Sequence, residues 1–372
     1  MWLIIIYYTF LTVLNAKFQN ILEIPIHNNY LELSLGAPSQ ITNYSINLQT
    51  QFLNTNSHYF NISNSSSLVK IESNNDTILP KDYEPYSEYV HIRLKTGTLL
   101  ILPKLYFIYT ENTNSLFYPN IGFSYKIYEH YSLIHRLYDS GFVSERNFGF
   151  SLNSTYDSMM TVGGIPKQYK EKYPFIAKCE ALDSVIWGCK MKNVFFNNII
   201  YHNTAEFFFD IQKNKILAPK SFFVFLKTQI FHDYIDKKIC EFVTINLVQH
   251  FICECKGLEK FPKISFYFSG ELSISLERSQ IFDITNDRCY FSIYNNLKND
   301  VWVFQLNFLN NTYINFDYDN KSVTFLSTHS LVNNIIKKRY QFIFLICIIL
   351  LLAMNCILLR IEQIISFFQS KK

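Results

Sequence analysis

Two short polar stretches carry the side chains with which this chain could do chemistry. Gln49-Thr50-Gln51 follows an alternating apolar run, Tyr44 to Leu48, and Asp210-Ile211-Gln212 follows Glu206-Phe-Phe-Phe209. Each stretch is the tip of a hydrophobic strand, and the tips lie in opposite halves of the chain, which predicts two lobes meeting at a cleft. Asp210 can take, hold or give a proton, whereas Gln49 is neutral at every relevant pH and can only hydrogen-bond. No Asp or Glu occurs between Glu32 and Glu72, so no neighbour supplies a carboxylate on the Gln49 side. Asp210 then reads either as the retained half of a site or as an ordinary hydrogen-bonded Asp at a strand end. None of the nine His residues stands beside Ser or Cys in a nucleophile motif, and spacing alone gives no triad. Cys253-Glu254-Cys255 is spaced too tightly for a zinc pair, which wants roughly two to four intervening residues. Neither a metal nor a cofactor is expected.

The elements that must position these tips are mostly strands. Tyr30 to Phe52 reads as two strands around Gly36-Ala37-Pro38, with Leu31, Leu33 and Leu35 alternating with polar residues in the first and Tyr44, Ile46 and Leu48 in the second. Further short apolar runs recur at Tyr89 to Leu94, Leu99 to Tyr109, Phe148 to Leu152, Val194 to Tyr201, Ile264 to Phe268 and Thr312 to Phe316, separated by Asn-, Ser- and Lys-rich turns. Asn54 to Lys81 is polar and reads as a surface excursion. One helix is predicted, Leu133 to Tyr138, ending at Ser140-Gly141. The lobe boundary falls near Gln168 to Pro174, giving lobes over 17–170 and 171–327.

At 372 residues the chain is long enough for two cored lobes, and 49% apolar residues with 35 Phe and 26 Tyr exclude a disordered chain. A net charge of +4 without a basic, aromatic-interleaved cluster gives no footprint for nucleic acid. Both ends carry membrane signals. Trp2 to Leu14 is an apolar run followed by Asn15-Ala16-Lys17, which predicts a signal peptide over 1–16. Tyr340 to Leu359 has the length and apolarity of a membrane-spanning helix, flanked by Lys337-Lys338-Arg339 and Arg360. The expectation is a single-pass type I membrane protein with its lobes lumenal or extracellular, a linker over 328–339 and a cytoplasmic tail over 360–372. Six cysteines lie in the lumenal part: Cys179, Cys189, Cys240, Cys253, Cys255 and Cys289. An even count in an oxidising compartment favours disulfides, but fifteen pairings are possible. Asn-X-Ser/Thr glycan acceptors stand at Asn43, Asn61, Asn64, Asn75, Asn153, Asn310 and Asn320.

The order of these features resembles the pepsin-like aspartic peptidases over about Tyr30 to Ser327. Tyr30 to Gln40 is similar to that family's opening strand and Gly-x-Pro-x-Gln turn. Ile121-Gly122, within Phe117 to Tyr125, resembles its Ile-Leu-Gly segment, and Leu133 to Leu152 its helix, turn and Phe-Ser strand. Met160-Thr-Val-Gly-Gly-Ile165 resembles its Gly-Gly strand end, and Trp187 stands where the family has a Trp before an inward strand. Cys255, then Phe261-Pro-Lys-Ile-Ser-Phe266, then Cys289 resembles its C-terminal-lobe disulfide around a Leu-Pro-x-Ile-x-Phe strand. Val301 to Phe304 and Tyr313 to Asp317 resemble its closing strands. The resemblance implies an all-β, bilobal pepsin-like fold, here followed by a C-terminal transmembrane helix, a Cys255–Cys289 disulfide and a peptide-binding cleft.

The catalytic motifs depart from that family. Its chemistry needs two carboxylates about 3 Å apart sharing one proton, each followed by Thr-Gly or Ser-Gly. Here the resemblance aligns Gln49 with the first carboxylate and Asp210 with the second, while Thr50, Gln51, Ile211 and Gln212 fill the adjoining cleft positions. Gln305 replaces a closing-strand glycine, and Tyr89 to Thr98 holds the place of the flap without its Tyr-Gly pattern. Asp139-Ser140-Gly141 spells a permissible catalytic triplet but ends the predicted helix. The reading is a membrane-anchored peptidase homologue, catalytically impaired or inactive, monomeric, with a cleft for a peptide or protein ligand. Two alternatives stay open: an active endopeptidase using Asp210 with an unidentified second carboxylate, and a structural surface protein with a filled cleft.

Overall fold

The computed structural model describes residues 21–327, apart from 28, 51, 58, 72–83, 111–118, 126–130, 152–157, 198, 212–215, 246–247, 269–272, 296–300 and 306–311. The expected signal peptide, linker, span Tyr340–Leu359 and tail lie outside the described residues. Among the described residues no helix is long and apolar enough to cross a membrane. Two compact units divide the chain, 1–331 and 332–372, and every described residue belongs to the first.

The first half contains β1 (Leu22–His27), β2 (Tyr30–Leu35), β3 (Gln40–Asn47), β4 (Asn54–Asn56), β5 (Val69–Lys70), β6 (Glu84–Arg93), β7 (Leu99–Thr110), β8 (Asn120–Gly122), α1 (Leu133–Asp139), β9 (Asn147–Ser151) and β10 (Met159–Val162). After α2 (Lys167–Lys172) come β11 (Phe175–Glu180), β12 (Gly188–Phe196), β13 (Ile199–Asp210), β14 (Ile216–Ala218), β15 (Cys240–Ile245), β16 (Val248–Glu254), β17 (Ile264–Phe268), β18 (Ser273–Leu276), β19 (Phe282–Thr285), β20 (Arg288–Phe291), β21 (Ile293–Asn295), β22 (Trp302–Gln305), β23 (Thr312–Asp317) and β24 (Ser322–Ser327).

Alternation decides the faces. Leu31, Leu33 and Leu35 of β2 and Tyr44 and Ile46 of β3 are fully buried, while Tyr30, Ile41 and Asn43 are exposed. The helix α1 begins where the Ser132 hydroxyl accepts from the His135 N–H, and it buries Leu133, Ile134 and Leu137. It stops at Gly141, whose φ of +72° a residue with a Cβ tolerates poorly. Asp139-Ser140-Gly141 is therefore a helix terminus.

One topology occurs in both halves. β3 runs parallel to β8, and β4 threads between β8, antiparallel to it, and β7, parallel to it. Likewise β13 runs parallel to β22, and β14 pairs antiparallel with β22 and parallel with β21. The halves join in a shared run of strands, β11-β24-β23-β9-β10-β1, in which β9 of the first half pairs with β23 of the second. Beneath that joint Phe148 stacks on Phe316 at 5.0 Å, with Trp187 5.2 Å from Phe316. Such aromatic pairs add about 0.5–1.5 kcal/mol each beyond area burial. The stretch Gln168–Pro174, expected as a lobe boundary, falls largely in α2, and the halves on either side of it share one sheet.

Several expectations are corrected. Asn54–Asn56 does not open a surface excursion: it is the threaded strand β4, with Thr55, Asn56 and Phe60 buried. Val194–Tyr201 is a hairpin and not one strand, because Asn197 turns the chain at φ +50°. Tyr89–Thr98 ends β6 and forms the β6–β7 turn, where Lys95 N–H donates to the Glu23 carbonyl at 2.8 Å and its ammonium meets the Glu23 carboxylate at 2.8 Å. Helical segments beyond α1 also occur, α2 and Lys220–Phe225 each starting directly after a proline, Pro166 and Pro219.

The six cysteines form Cys179–Cys189, Cys240–Cys253 and Cys255–Cys289. Cys240 and Cys253 face each other across β15 and β16. The second bond staples β15 to β16 within the four-stranded sheet β15-β16-β20-β19, and the third ties the turn after β16 to β20. Asn43, Asn61, Asn64 and Asn320 are exposed; Asn75, Asn153 and Asn310 lie outside the described residues.

Candidate functional site

The two tips meet. Gln49 Nε2 donates to Asp210 Oδ2 at 3.2 Å, across 161 residues of sequence. Asp210 is the last residue of β13 and pairs in register with Gln305 of β22. Its burial, with 6% exposed, follows from the parallel pairing and from the backbone of Phe209, whose N–H donates to the Trp187 carbonyl at 3.0 Å. Gln49 lies two residues beyond the end of β3, and its N–H donates to Asn47 Oδ1 at 2.8 Å, a local side-chain turn that leaves the Gln49 side chain free to cross the gap.

The neighbours of the tips are fixed by backbone contacts. Thr50 Oγ1 donates to Asn120 Oδ1 at 3.2 Å, and the Thr50 carbonyl accepts from Ser124 N–H at 3.1 Å. Gly122 lets this loop approach. A Cβ there would lie 2.4 Å from the Thr50 carbonyl oxygen and 2.6 Å from the Phe52 nitrogen, both backbone atoms that cannot swing aside. On the other side, the Ile211 side chain is fully buried, and its carbonyl accepts from Asn29 Nδ2 at 3.1 Å. Ile211 thus contributes its backbone to the junction and its side chain to the core. Gln51 and Gln212 lie outside the described residues.

Behind the tips, residues of the second half grip the first. Trp187 Nε1 donates to the Phe123 carbonyl at 2.7 Å, and Tyr318 hydroxyl donates to the Ser124 carbonyl at 3.1 Å. Burial pushes the Tyr318 phenol well above its ordinary pKa, so it remains a donor throughout the physiological range. Asn29, Asn120, Ser124 and Tyr318 were not singled out from the sequence. Asn29 adopts a φ of +66°, which Asn tolerates better than most residues.

The pair sets one amide against one carboxylate. An amide facing Asp210 donates a hydrogen bond but holds no titratable proton, so the pair cannot share one proton between two acids. Gln49 offers no acid to a water placed between the two side chains. Among the described residues no His, Cys, Asp and Glu cluster is arranged to hold a metal ion.

Comparison with known proteins agrees with this fold. The model of the family described as eukaryotic aspartyl protease matches residues 115–328. Among solved structures, basic 7S globulin from soybean is similar at a TM-score of 0.66 and 11% identity, covering 84% of this chain and 97% of its own. Conglutin gamma, a basic 7S globulin from lupine seeds, scores 0.66 at 11% identity, covering 84% and 96%. The aspartic proteinase from Irpex lacteus scores 0.62 at 13% identity, covering 84% and 100%. No curated protein matches.

Proposed function

The chain belongs to the eukaryotic aspartyl protease family, and from that membership we propose that it is a peptidase-fold protein with little or no peptidase activity, whose cleft binds a peptide or a protein partner. The single observation that carries this reading is the hydrogen bond from Gln49 to Asp210. An amide occupies the position from which the second acid would have to act. The general acid and base steps expected of such a site contribute about 10²–10⁴-fold each. Loss of one acid therefore removes most of the rate while leaving the groove in place. We place the protein in the membrane of the secretory pathway or the cell surface, anchored by Tyr340–Leu359 with its lobes lumenal or extracellular. Three cystines support the oxidising compartment that this requires.

The test is cleavage of a mixed peptide library by the detergent-solubilised full chain from acid to neutral pH, beside Asp210→Ala and Gln49→Asp. The expected result is no cleavage by the parent or by Asp210→Ala, with peptide retention measurable on the parent. Acid-dependent cleavage by the parent that disappears in Asp210→Ala would overturn the reading and require a second carboxylate elsewhere in the cleft.

A further inference from the structure

The shared sheet ends in an edge strand with an unusual start. Successive side chains of a strand point to opposite faces, so a strand packed on one side exposes only alternate residues. At the start of β11 both Phe175 and Ile176 are exposed, at 41% and 57%, whereas the next inward position, Ala177, is buried. The strand end thus projects past the layers that cover its remainder. Lys170 and Lys172 of α2 are exposed immediately before it and Lys178 immediately after, against the single exposed Glu171 within the same stretch. An exposed Phe-Ile pair among lysines combines apolar side chains with cations suited to a phosphate-bearing surface.

Position within the fold gives the partner. Phe175 pairs in register with Ser327, and Ile176 with Leu326. Ser327 ends β24, so the apolar pair lies beside the point from which the chain continues toward Tyr340. The intervening residues 328–339 number twelve. At most they reach about 40 Å, the extended length of such a segment. They end in Lys337-Lys338-Arg339, which adds positive charge at the far side of the tether.

We propose that Phe175 and Ile176, framed by Lys170, Lys172 and Lys178, form a membrane-contacting foot that seats this end of the folded unit on the phospholipid headgroup layer. This rests on the membrane-anchored reading above. Two apolar side chains would hold no soluble protein on a bilayer, because a weak contact cannot offset the entropy of association. On a tethered chain the contact is intramolecular, and the short tether raises its effective concentration enough for a weak patch to be occupied.

The experiment uses the full chain reconstituted into phosphatidylcholine–phosphatidylserine vesicles whose acyl chains are brominated, with Phe175→Trp and, separately, Ile176→Trp. Both positions are exposed, so either substitution leaves the core unchanged, and the two variants check each other. Emission of the unsubstituted chain, in which Trp187 and Trp302 are fully buried, gives the baseline. The expected result is that the protein floats with the vesicles and that the introduced indole is blue-shifted and loses emission in brominated lipid relative to unbrominated lipid. Adding Lys170→Glu and Lys172→Glu then restores part of that emission. Flotation with an indole that stays unquenched in both variants would sink the foot while leaving the anchor standing. A chain that fails to float would remove the anchored reading and the foot together.

Discussion

In the first half of the fold the tip residue, Gln49, lies two residues beyond Asn47, the last paired residue of β3, and Asn47 sits opposite Gly122. In the second half Asp210 is itself the last paired residue of β13 and sits opposite Gln305. The threaded topology is the same on both sides, yet each half carries a different portion of what a two-acid site needs. The first supplies the bare glycine that lets Thr50 and Phe52 approach, but ends in an amide. The second supplies the acid, with Ile211 next in the chain and Gln305 opposite it in register. Close approach and proton chemistry are thus separable demands. Gly122 is required by backbone contacts whether or not a proton is ever moved.

The largest effect should therefore come from the residue that does no chemistry. Gly122→Ala forces a Cβ against the Thr50 carbonyl and the Phe52 nitrogen and carbonyl, all within 2.8 Å. Destabilisation of roughly 3 kcal/mol or more is expected, beyond the range of ordinary overpacking. It is read as a lowered denaturant midpoint of the full chain. Unchanged stability would show that the loop carrying Gln49 is loosely held, and the comparison between halves would lose its structural basis.

The grip of the second half on the first is the next test. Trp187 is fully buried and donates to the Phe123 carbonyl. Trp187→Phe should leave that carbonyl unsatisfied and a gap beside Phe316, at a cost of about 2–3 kcal/mol. Tyr318→Phe removes only one hydroxyl donor and should cost about 1 kcal/mol. If the two variants lose equal stability, the grip is shared evenly by the two donors and does not centre on the indole.

Much of this arrangement was legible from residue types. The spacing of Leu31, Leu33 and Leu35 shows which face of β2 is buried, and Ser140-Gly141 marks the end of α1, because these signals are local. The positions of the tips, Gln49 and Asp210, were legible for the same reason. The threaded strand β4 was not. Asn54-Thr55-Asn56 is short and polar, and it is buried only because two other strands pair with it. Asn29 reaching Ile211 is equally hidden, since a side chain spanning 182 residues of sequence leaves no periodic trace. The cystines were partly hidden too. Cys253 and Cys255 are two residues apart yet bond to Cys240 and Cys289, because β16 ends at Glu254 and Cys255 already belongs to the following turn.

The effect most telling about the two tips, and one seen only as a change with pH, belongs to Gln49→Asp. The amide donor 3.2 Å from Asp210 would be replaced by a shorter carboxyl group on the same loop. Two carboxylates confined near each other cannot both ionise cheaply, so one folded-state pKa rises above its unfolded value near 4. Above that unfolded value the denatured chain has both groups ionised, while the folded chain still holds a proton. The folded state then binds more protons, and stability must fall as pH rises until the raised pKa is passed. A loss of roughly 1–2 kcal/mol between acid and neutral pH is expected, equivalent to a rise of about one unit or slightly more. The parent lacks this slope from the pair, because an amide cannot repel Asp210. Thermal midpoints of parent and variant, compared at acid and neutral pH, decide the matter. Curves that stay parallel would mean that a carboxyl at position 49 turns away from Asp210, and that the halves meet here only through the longer reach of glutamine.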